Sequence, residues 1–229
     1  MGENHHSFNG LAARLTVVNY RKTHTARGLP ITEHSERNVI RLQLAQNIVL
    51  KLLPKPDLAE LEAQLIVQDC AKGDCLVQQG DHDMAQVFIL DGILKRVVSS
   101  PSAKEMILRF AAERDIETSY AAWRLHTPAP YSIIAVTKAR VAMLPMPDWV
   151  AFMQSRPELK AAFEYQVMSL MSEVMAHTIT LHLLDAPGRV HRFMRKHAEL
   201  ADRLPKKELA AYLNISPETL SRLKARGKI

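Results

Sequence analysis

Apolar positions divide the chain into three zones with different periods. From Ser35 apolar residues recur every three or four positions, which predicts a helix that ends at Pro54. After Val67 short apolar runs alternate with glycine, aspartate and proline turns, a pattern typical of strands in an antiparallel sandwich or barrel. From about Pro157 onward the period is helical again. This order predicts an α+β fold.

Six runs in the middle zone are the predicted strands. They are Cys75–Val77, Val87–Leu90, Ile93–Val98, Met106–Phe110, Tyr131–Val136 and Arg140–Leu144. The stretch from residue 111 to 126 is less regular and is interpreted as carrying a short helix inside the β-domain. Residues 1–34 are weakly patterned, and we expect a flexible extension there.

The third zone begins with a long helix that carries an apolar seam. Its spacings alternate between four and three residues along Phe163, Val167, Leu170, Val174, His177, Leu181 and Leu184. Such heptad spacing is typical of a helix that pairs with its own copy, so the seam predicts a homodimer interface. The alternative is a helix packed on its own sandwich, with Met168, Met171 and Met175 as adaptable core filler. We interpret His177 as a polar position that fixes register, and Asp185–Gly188 as a hinge.

The net charge of +6 is concentrated at the end of the chain. Residues 187–229 hold 11 Lys and Arg against 4 Asp and Glu, and residues 1–186 hold the remaining 19 against 20. A basic segment beside a neutral body favours a polyanionic partner. On charge alone, a solvated lysine-rich tail explains the pattern equally well.

Residues 206–226, KKELAAYLNISPETLSRLKAR, carry the steric pattern of a helix-turn-helix. Ala210 is small where two helices must cross, and Asn214 tolerates the left-handed conformation of a tight turn. Ser216 supplies a capping hydroxyl for a second helix, in which Leu220 faces the core. Charge, turn chemistry and spacing therefore agree on a DNA-binding unit. The competing interpretation is a helical hairpin with a charged surface.

The second helix of such a unit places its first residues at base edges in the major groove. The predicted base and backbone contacts are Ser216, Glu218, Thr219, Ser221 and Arg222, and the predicted phosphate contacts are Lys206, Lys207, Lys224 and Arg226. Arg222 suits guanine, and Glu218 suits the amino group of cytosine.

The sequence from about Asp57 onward resembles the Crp/Fnr superfamily of bacterial transcription regulators. The motifs are Lys72-Gly73-Asp74, Val77, Gly80-Asp81, Phe88-Ile89-Leu90 and Gly92 in the β-domain and Ser216–Arg222 at the end. The resemblance implies a cyclic-nucleotide-binding-type jelly roll, a dimerisation helix and a helix-turn-helix. Glu218, Ser221 and Arg222 match the Fnr-like pattern, which implies TTGAT-type half-sites in an inverted repeat.

Two departures from that family change the expected ligand and partner. Cyclic-AMP binders hold the phosphate with a glycine-bearing cassette and an arginine, whereas the glycine is missing from Asp115–Tyr120 and Tyr131 stands where the arginine belongs. A buried phosphate without a cation is costly, so cyclic AMP is not expected as effector. Family members also continue past Gly227–Ile229 into a β-hairpin wing, which puts DNA affinity in question.

Composition narrows the remaining function classes. Two cysteines are too few for a disulfide framework or an iron–sulfur cluster, and the histidines lack metal-ligand spacing, so no metal and no cofactor are expected. The longest apolar runs span only a few residues, and no signal peptide is evident, which predicts a cytoplasmic protein without a membrane partner. Nothing in the sequence favours an enzyme.

Together these patterns predict four parts: an extension over 1–34, a sensor domain with leading helices over 35–155, a dimerisation helix over 156–186 and a DNA-binding domain over 187–229. The expected partners are double-stranded DNA, a second copy of the chain and, by resemblance, RNA polymerase, with an unknown small-molecule effector left open. The alternative function is a ligand-binding or protein-interaction module whose DNA domain has lost binding.

Overall fold

The structure is a computed structural model that describes residues 28–102 and 104–225. Its first segment is tied to the sandwich. Strand β1 (Leu29–Pro30) pairs with strand β2 (Ile66–Cys70), and Ile31 is fully buried. The flexible extension predicted over 1–34 is therefore wrong for residues 28–34, since backbone pairing and an apolar anchor hold them. Residues 1–27 lie outside the described part of the chain.

The helix predicted to run from Ser35 to Pro54 ends early, and a second short helix follows Pro54. Helix α1 (Arg37–Ala45) ends at the polar pair Gln46-Asn47, and Asn47 accepts hydrogen bonds from the backbone of the turn that follows. A short 3-10 turn then leads to helix α2 (Lys55–Glu62), which begins with prolines at its first turn. Both helices close one side of the sandwich.

The β-domain is a sandwich of two antiparallel sheets. Its other strands are β3 (Cys75–Val77), β4 (Ala85–Asp91), β5 (Leu94–Ser99), β6 (Glu105–Ala111), β7 (Ile116–Glu117), β8 (Ser132–Ala135) and β9 (Ala139–Pro145). One sheet has the order β1-β2-β9-β4-β7 and the other the order β3-β8-β5-β6. The predicted α+β class and the sandwich are confirmed, and all six predicted strands are present within two residues of their expected ends.

Aromatic side chains fix two further helices on the core. The short helix α3 (Tyr120–Arg124) lies inside the β-domain, as the irregular stretch predicted, and α4 (Met146–Gln154) follows the last strand. Trp149 is fully buried and meets Phe88 and Phe163 edge to face, with ring centroids 5.3 Å apart in each case. This aromatic cluster joins the sandwich to the long helix that comes next.

Helix α5 (Pro157–Leu183) packs along its own protomer, and four short helices follow it. These are α6 (Ala186–Lys196), α7 (Ala198–Ala201), α8 (Lys206–Tyr212) and α9 (Pro217–Ala225). A second apolar cluster contains Ile107 and Phe110 of the sandwich together with Val190, Phe193 and other residues of these helices. The C-terminal helical region is thus packed on the outer face of the four-stranded sheet.

The apolar seam of α5 faces the sandwich of its own protomer and not, as was predicted, a second copy of the chain. Phe163, Val167, Leu170 and His177 are buried within the same protomer, Val174 and Leu181 are half-buried, and Leu184 is exposed. The alternative, a helix packed on its own sandwich, is confirmed for Phe163, Val167 and Leu170. Its core-filler role for Met168, Met171 and Met175 is wrong, because all three are exposed. The sandwich occupies the seam, and the methionine side faces outward.

The predicted hinge is shorter than expected. Ala186, Pro187 and Gly188 form the first turn of α6, and the Asp185 side chain caps that helix by accepting from the Gly188 backbone N–H at 2.9 Å. Only Leu184 and Asp185 connect the two helices, because a capping aspartate followed by a proline in the first turn is a helix start signal.

Candidate nucleic-acid interface

Helices α8 and α9 cross closely at a turn of four residues, 213–216. Ala210 is fully buried at the crossing, and Leu220 and Leu223 of α9 are buried beside it. The Ile215 backbone N–H donates to the Ala210 carbonyl at 3.0 Å, and Asn214 has a φ of +51°. The small residue permits the close approach, and the asparagine accepts the left-handed backbone that the turn requires.

The start of α9 is capped by its own sequence. The Ser216 hydroxyl oxygen accepts a hydrogen bond from the Thr219 backbone N–H at 3.1 Å, and Pro217 occupies the first helical position. Glu218 is exposed in the first turn, where its own backbone N–H, the Ser216 hydroxyl and the charge of Lys206 hold the pKa of its carboxyl below the usual value. Glu218 is therefore an anion at neutral pH and acts as a hydrogen-bond acceptor.

The predicted contact residues lie on helix α8, on helix α9 and on the turn between them. Lys206, Lys207, Ser216, Glu218, Arg222 and Lys224 are exposed, and Thr219 and Ser221 are half-buried. The Ser221 hydroxyl donates to the Pro217 carbonyl at 3.1 Å, which leaves its lone pairs free to accept. Arg226 lies outside the described residues.

Positive charge on α9 is left without acidic partners. Within residues 28–102 and 104–225, neither Arg222 nor Lys224 forms an ion pair. The polar face of α9 thus presents one carboxylate, two hydroxyls and two unpaired cations on one short helix. Such a set can donate to phosphates and to guanine and can accept from cytosine.

Contacts that the sequence did not predict hold the helix pair against the sheet and α5. Lys95 of β5 pairs with Glu208 of α8, with 2.9 Å between Nζ and Oε2. The Tyr212 ring stacks on His177 of α5 with centroids 3.8 Å apart and planes within 2°. Burial lowers the pKa of His177 to about 4, so its ring is neutral at physiological pH. These partners are far apart in sequence, so no local pattern indicates them.

A buried ion cluster occupies the inside of the sandwich. Glu117 is fully buried, and its two oxygens accept from Arg96 at 2.6 Å and from Arg109 at 2.7 Å. Arg109 also bonds to Asp115. Burial opposes the charge of Arg109, but Glu117 and Asp115 outweigh it and raise the pKa of its guanidinium. This cluster was not predicted, because Arg96, Arg109 and Glu117 lie on three different strands and are at least eight positions apart.

Tyr131, which was predicted to stand in place of a phosphate-binding arginine, packs against that cluster. Its hydroxyl donates to the Thr118 carbonyl at 2.7 Å, and the Arg96 guanidinium carbon lies 4.1 Å from its ring centroid. Burial raises the pKa of the Tyr131 hydroxyl, so it remains a neutral donor. Carboxylates of this chain therefore already bind Arg96 and Arg109, where a ligand phosphate would need a cation.

Metal and redox sites are not evident in the described residues. No group of three or more His, Cys, Asp or Glu in that part of the chain is placed to hold a metal ion. Cys70 and Cys75 are buried free thiols, and burial raises the pKa of Cys70 to about 12, which makes that thiol unreactive. Of the helices in the described ranges, none is both long enough and apolar enough to cross a membrane.

The sandwich has a family match. Residues 67–156 match the model of the cyclic nucleotide-binding domain. The sandwich is a cyclic nucleotide-binding-type domain. That match covers the strands from β2 to β9 and helix α4, and it stops before α5. No curated protein sequence matches the chain.

Solved structures extend the similarity beyond the cyclic nucleotide-binding-type domain. A protein of Ruegeria pomeroyi that is described as a cyclic nucleotide binding protein is 25% identical to this chain. The TM-score is 0.55, and the match covers 83% of this chain and 88% of that one. The Xanthomonas campestris regulator CLP, described as responsive to c-di-GMP, is 14% identical, with a TM-score of 0.64 over 76% and 93%. The catabolite activator protein of Thermus thermophilus is 17% identical, with a TM-score of 0.51 over 79% and 88%. These neighbours include Crp/Fnr-type regulators, and the chain shares their fold.

Proposed function

We propose that the chain is a DNA-binding transcription regulator of the Crp/Fnr type, which binds a palindromic site as a homodimer and is not gated by cyclic AMP. The observation that carries the proposal is the polar face of α9. It begins at a capped helix start, exposes Glu218 and Arg222, and leaves Arg222 without an acidic partner among the described residues. We therefore assign α8 and α9 to a helix-turn-helix.

In this assignment α9 enters the major groove with its first two turns at the base edges. Arg222 donates to guanine O6 and N7, Glu218 accepts from cytosine N4, and the Ser221 hydroxyl oxygen accepts from a neighbouring base. Lys206, Lys207 and Lys224 neutralise backbone phosphates and set the register of the helix on the duplex. These roles are consistent with the exposure of all three lysines.

The first test is binding of the purified protein to a TTGAT-N4-ATCAA duplex beside a scrambled duplex, at two salt concentrations and without effector. We expect tighter binding to the palindrome, with an affinity that falls steeply as salt rises. Equal, weak binding to both duplexes would favour the alternative, a ligand-binding or protein-interaction module without DNA-reading activity.

The dimer contact is assigned to the outward side of α5. Tyr165, Met168, Met175 and Ile179 are between 50% and 70% exposed. With Ser172 they follow a 3-4-3-4 spacing, which is the heptad pattern of a two-helix contact. Because the sandwich covers Phe163 and Leu170, this second seam replaces the one that periodicity first indicated.

The dimer is tested by Met175→Glu, which puts a charge in the middle of the exposed seam. Met106→Glu is the matched control, because Met106 is 44% exposed on β6 and lies outside the seam. Light scattering should show a dimer for the wild type and for the control and a monomer for Met175→Glu. A dimer that survives Met175→Glu would contradict the assignment.

The ion cluster supports the absence of cyclic-AMP gating. A cyclic phosphate needs a cation, and in the described chain Arg96 and Arg109 already share Glu117 within the sandwich. A ligand would have to separate a buried carboxylate from its guanidinium groups, at a cost of several kcal/mol, on the order of 3–5. Titration calorimetry with cyclic AMP should therefore give no binding heat, and DNA affinity should be unchanged by the nucleotide.

A further inference from the structure

A small cavity lies where the sandwich meets the C-terminal helical region. It is enclosed by strand β6 and helices α5, α6 and α8, and its volume is about 40 Å³. Roughly 10–15 Å³ is enough for one water molecule, so the cavity has room for about three waters or one compact ion. A nucleotide is far too large for this space.

The lining of this cavity is strongly basic. Arg109, Arg189, Arg192 and Lys196 contribute to it, and the one carboxylate among its described lining residues is Glu173, which pairs with Lys196 at 3.2 Å. Arg192 forms no ion pair with any described residue. Because Arg109 and Lys196 pair with carboxylates, the excess positive charge of the cavity comes from Arg189 and Arg192, which have no ion pair among the described residues.

Two buried nitrogen atoms in the lining lack hydrogen-bond partners. Arg109 is 6% exposed and His177 is 9% exposed, and within residues 28–102 and 104–225 neither Arg109 Nε nor His177 Nε2 has a hydrogen-bond partner. Buried polar atoms in proteins are nearly always satisfied, and each one left alone costs about 1–3 kcal/mol. Both side chains line the same cavity, so one occupant with several acceptor oxygens would satisfy both.

We propose that this cavity binds a compact tetrahedral oxyanion of the size and charge of inorganic phosphate. Its oxygens accept from Arg109 Nε, from His177 Nε2 and from the guanidinium of Arg192. A neighbouring surface groove of about 500 Å³ shares Arg109, Glu173 and His197 with the cavity, which gives the ion a path from solvent. The site shares Arg109 with the interior cluster around Glu117 but uses its Nε, whereas the terminal nitrogens of the same guanidinium bond to Glu117 and Asp115.

The position of the site gives the ion a structural effect. Arg109 belongs to the sandwich and Arg192 to helix α6, so a bound oxyanion bridges the two parts of the chain. Binding to the folded state alone raises its stability in proportion to ligand concentration over dissociation constant. This inference goes beyond the proposed function, and its test uses no DNA, so failure of one leaves the other standing.

The experiment compares thermal unfolding of the full chain in sodium phosphate and in sodium chloride at equal ionic strength. The wild type should show a saturable rise in Tm with phosphate. Arg192→Gln should weaken the apparent affinity about tenfold or more, because it removes a charge-assisted hydrogen bond. Arg195→Gln is the matched control: Arg195 is exposed on the same helix, is outside the cavity lining and should leave the response unchanged.

Other outcomes overturn the proposal. No rise in the wild type means that the cavity holds water only, and equal rises in both variants mean adventitious phosphate binding to the basic surface. A second readout needs no variant. The imidazole resonances of His177 should shift on phosphate addition while those of exposed His126 stay in place, and a stationary His177 at saturating phosphate contradicts the site.

Discussion

Arginine is used in opposite ways in the sandwich and on helix α9. Arg96 and Arg109 are buried and both donate to Glu117, so a carboxylate inside the protein balances their charge. Arg222 is exposed and unpaired among the described residues, so its charge is offered to a partner. The sequence gives all three arginines the same charge. The position of the nearest carboxylate decides whether an arginine stabilises the fold or remains available to bind a partner.

Removing the shared carboxylate should have the largest effect. Glu117→Gln leaves two buried guanidinium groups with one fewer countercharge, and we expect a loss of about 3–5 kcal/mol in the free energy of unfolding. Urea denaturation measures this loss. Glu60→Gln is the control, because Glu60 is largely exposed and its pair with Arg156 should be worth less than about 1 kcal/mol. Equal losses in the two variants would remove the contrast between buried and exposed ion pairs.

His177 adds a buried ionisable group that is kept neutral. Its pKa is lowered from 6.5 to about 4, so the unfolded chain takes up the proton first as pH falls. Stability is therefore complete above about pH 6.5 and declines toward pH 4, by at most about 3 kcal/mol. His177→Phe keeps a ring against Tyr212 and should flatten this slope in phosphate-free buffer. Burial also lowers the pKa of His197, which is present in both proteins and cancels in the difference.

Arg222→Ala removes the exposed arginine of α9. It should weaken binding to the palindrome by about tenfold to a hundredfold and relax selectivity at one base pair. The free energy of unfolding should stay within about 0.5 kcal/mol of wild type, because the Arg222 side chain is exposed and forms no ion pair with a described residue. Competition binding with single-base variants of the duplex measures the selectivity. Arg195→Ala removes the same charge from α6 and should leave selectivity intact.

Lys224→Gln should have the smallest effect. We expect a modest loss of affinity that is equal on the palindrome and the scrambled duplex, with the salt-dependence slope reduced by about 1. Titrations at several salt concentrations give the slope. A loss confined to the palindrome would instead make Lys224 a base-reading residue.

Sequence periodicity identifies the elements but not which side of a helix is covered. Helix α5 carries apolar residues on two sides, through Phe163 and Leu170 on one and Met168 and Met175 on the other. Heptad counting chose the first seam, yet the sandwich covers it. The choice depends on which side faces the sandwich, and that is set by Trp149, which contacts Phe88 of β4 and Phe163 of α5.

The local chemistry of α8 and α9 was predictable because every signal in it is short-range. Ala210, Asn214 and Ser216 act within one turn, and the structure gives each the backbone or packing role that its residue type indicates. The interior cluster was not predictable. Arg96, Arg109 and Glu117 look like ordinary polar positions along separate strands, and only the pairing of β5 with β6 and the stacking of the two sheets bring them together.

The docking of α8 on the sheet has a consequence for how such proteins can be recombined. Glu208 and Tyr212 belong to the helical region, and their partners Lys95 and His177 precede it in the chain. A chimera that exchanges residues 186–225 for the helices of a distant relative would carry half of each contact away. The residues on the two sides of this interface therefore have to be changed together. The helical region cannot be exchanged without changing its partners on the sheet and on α5.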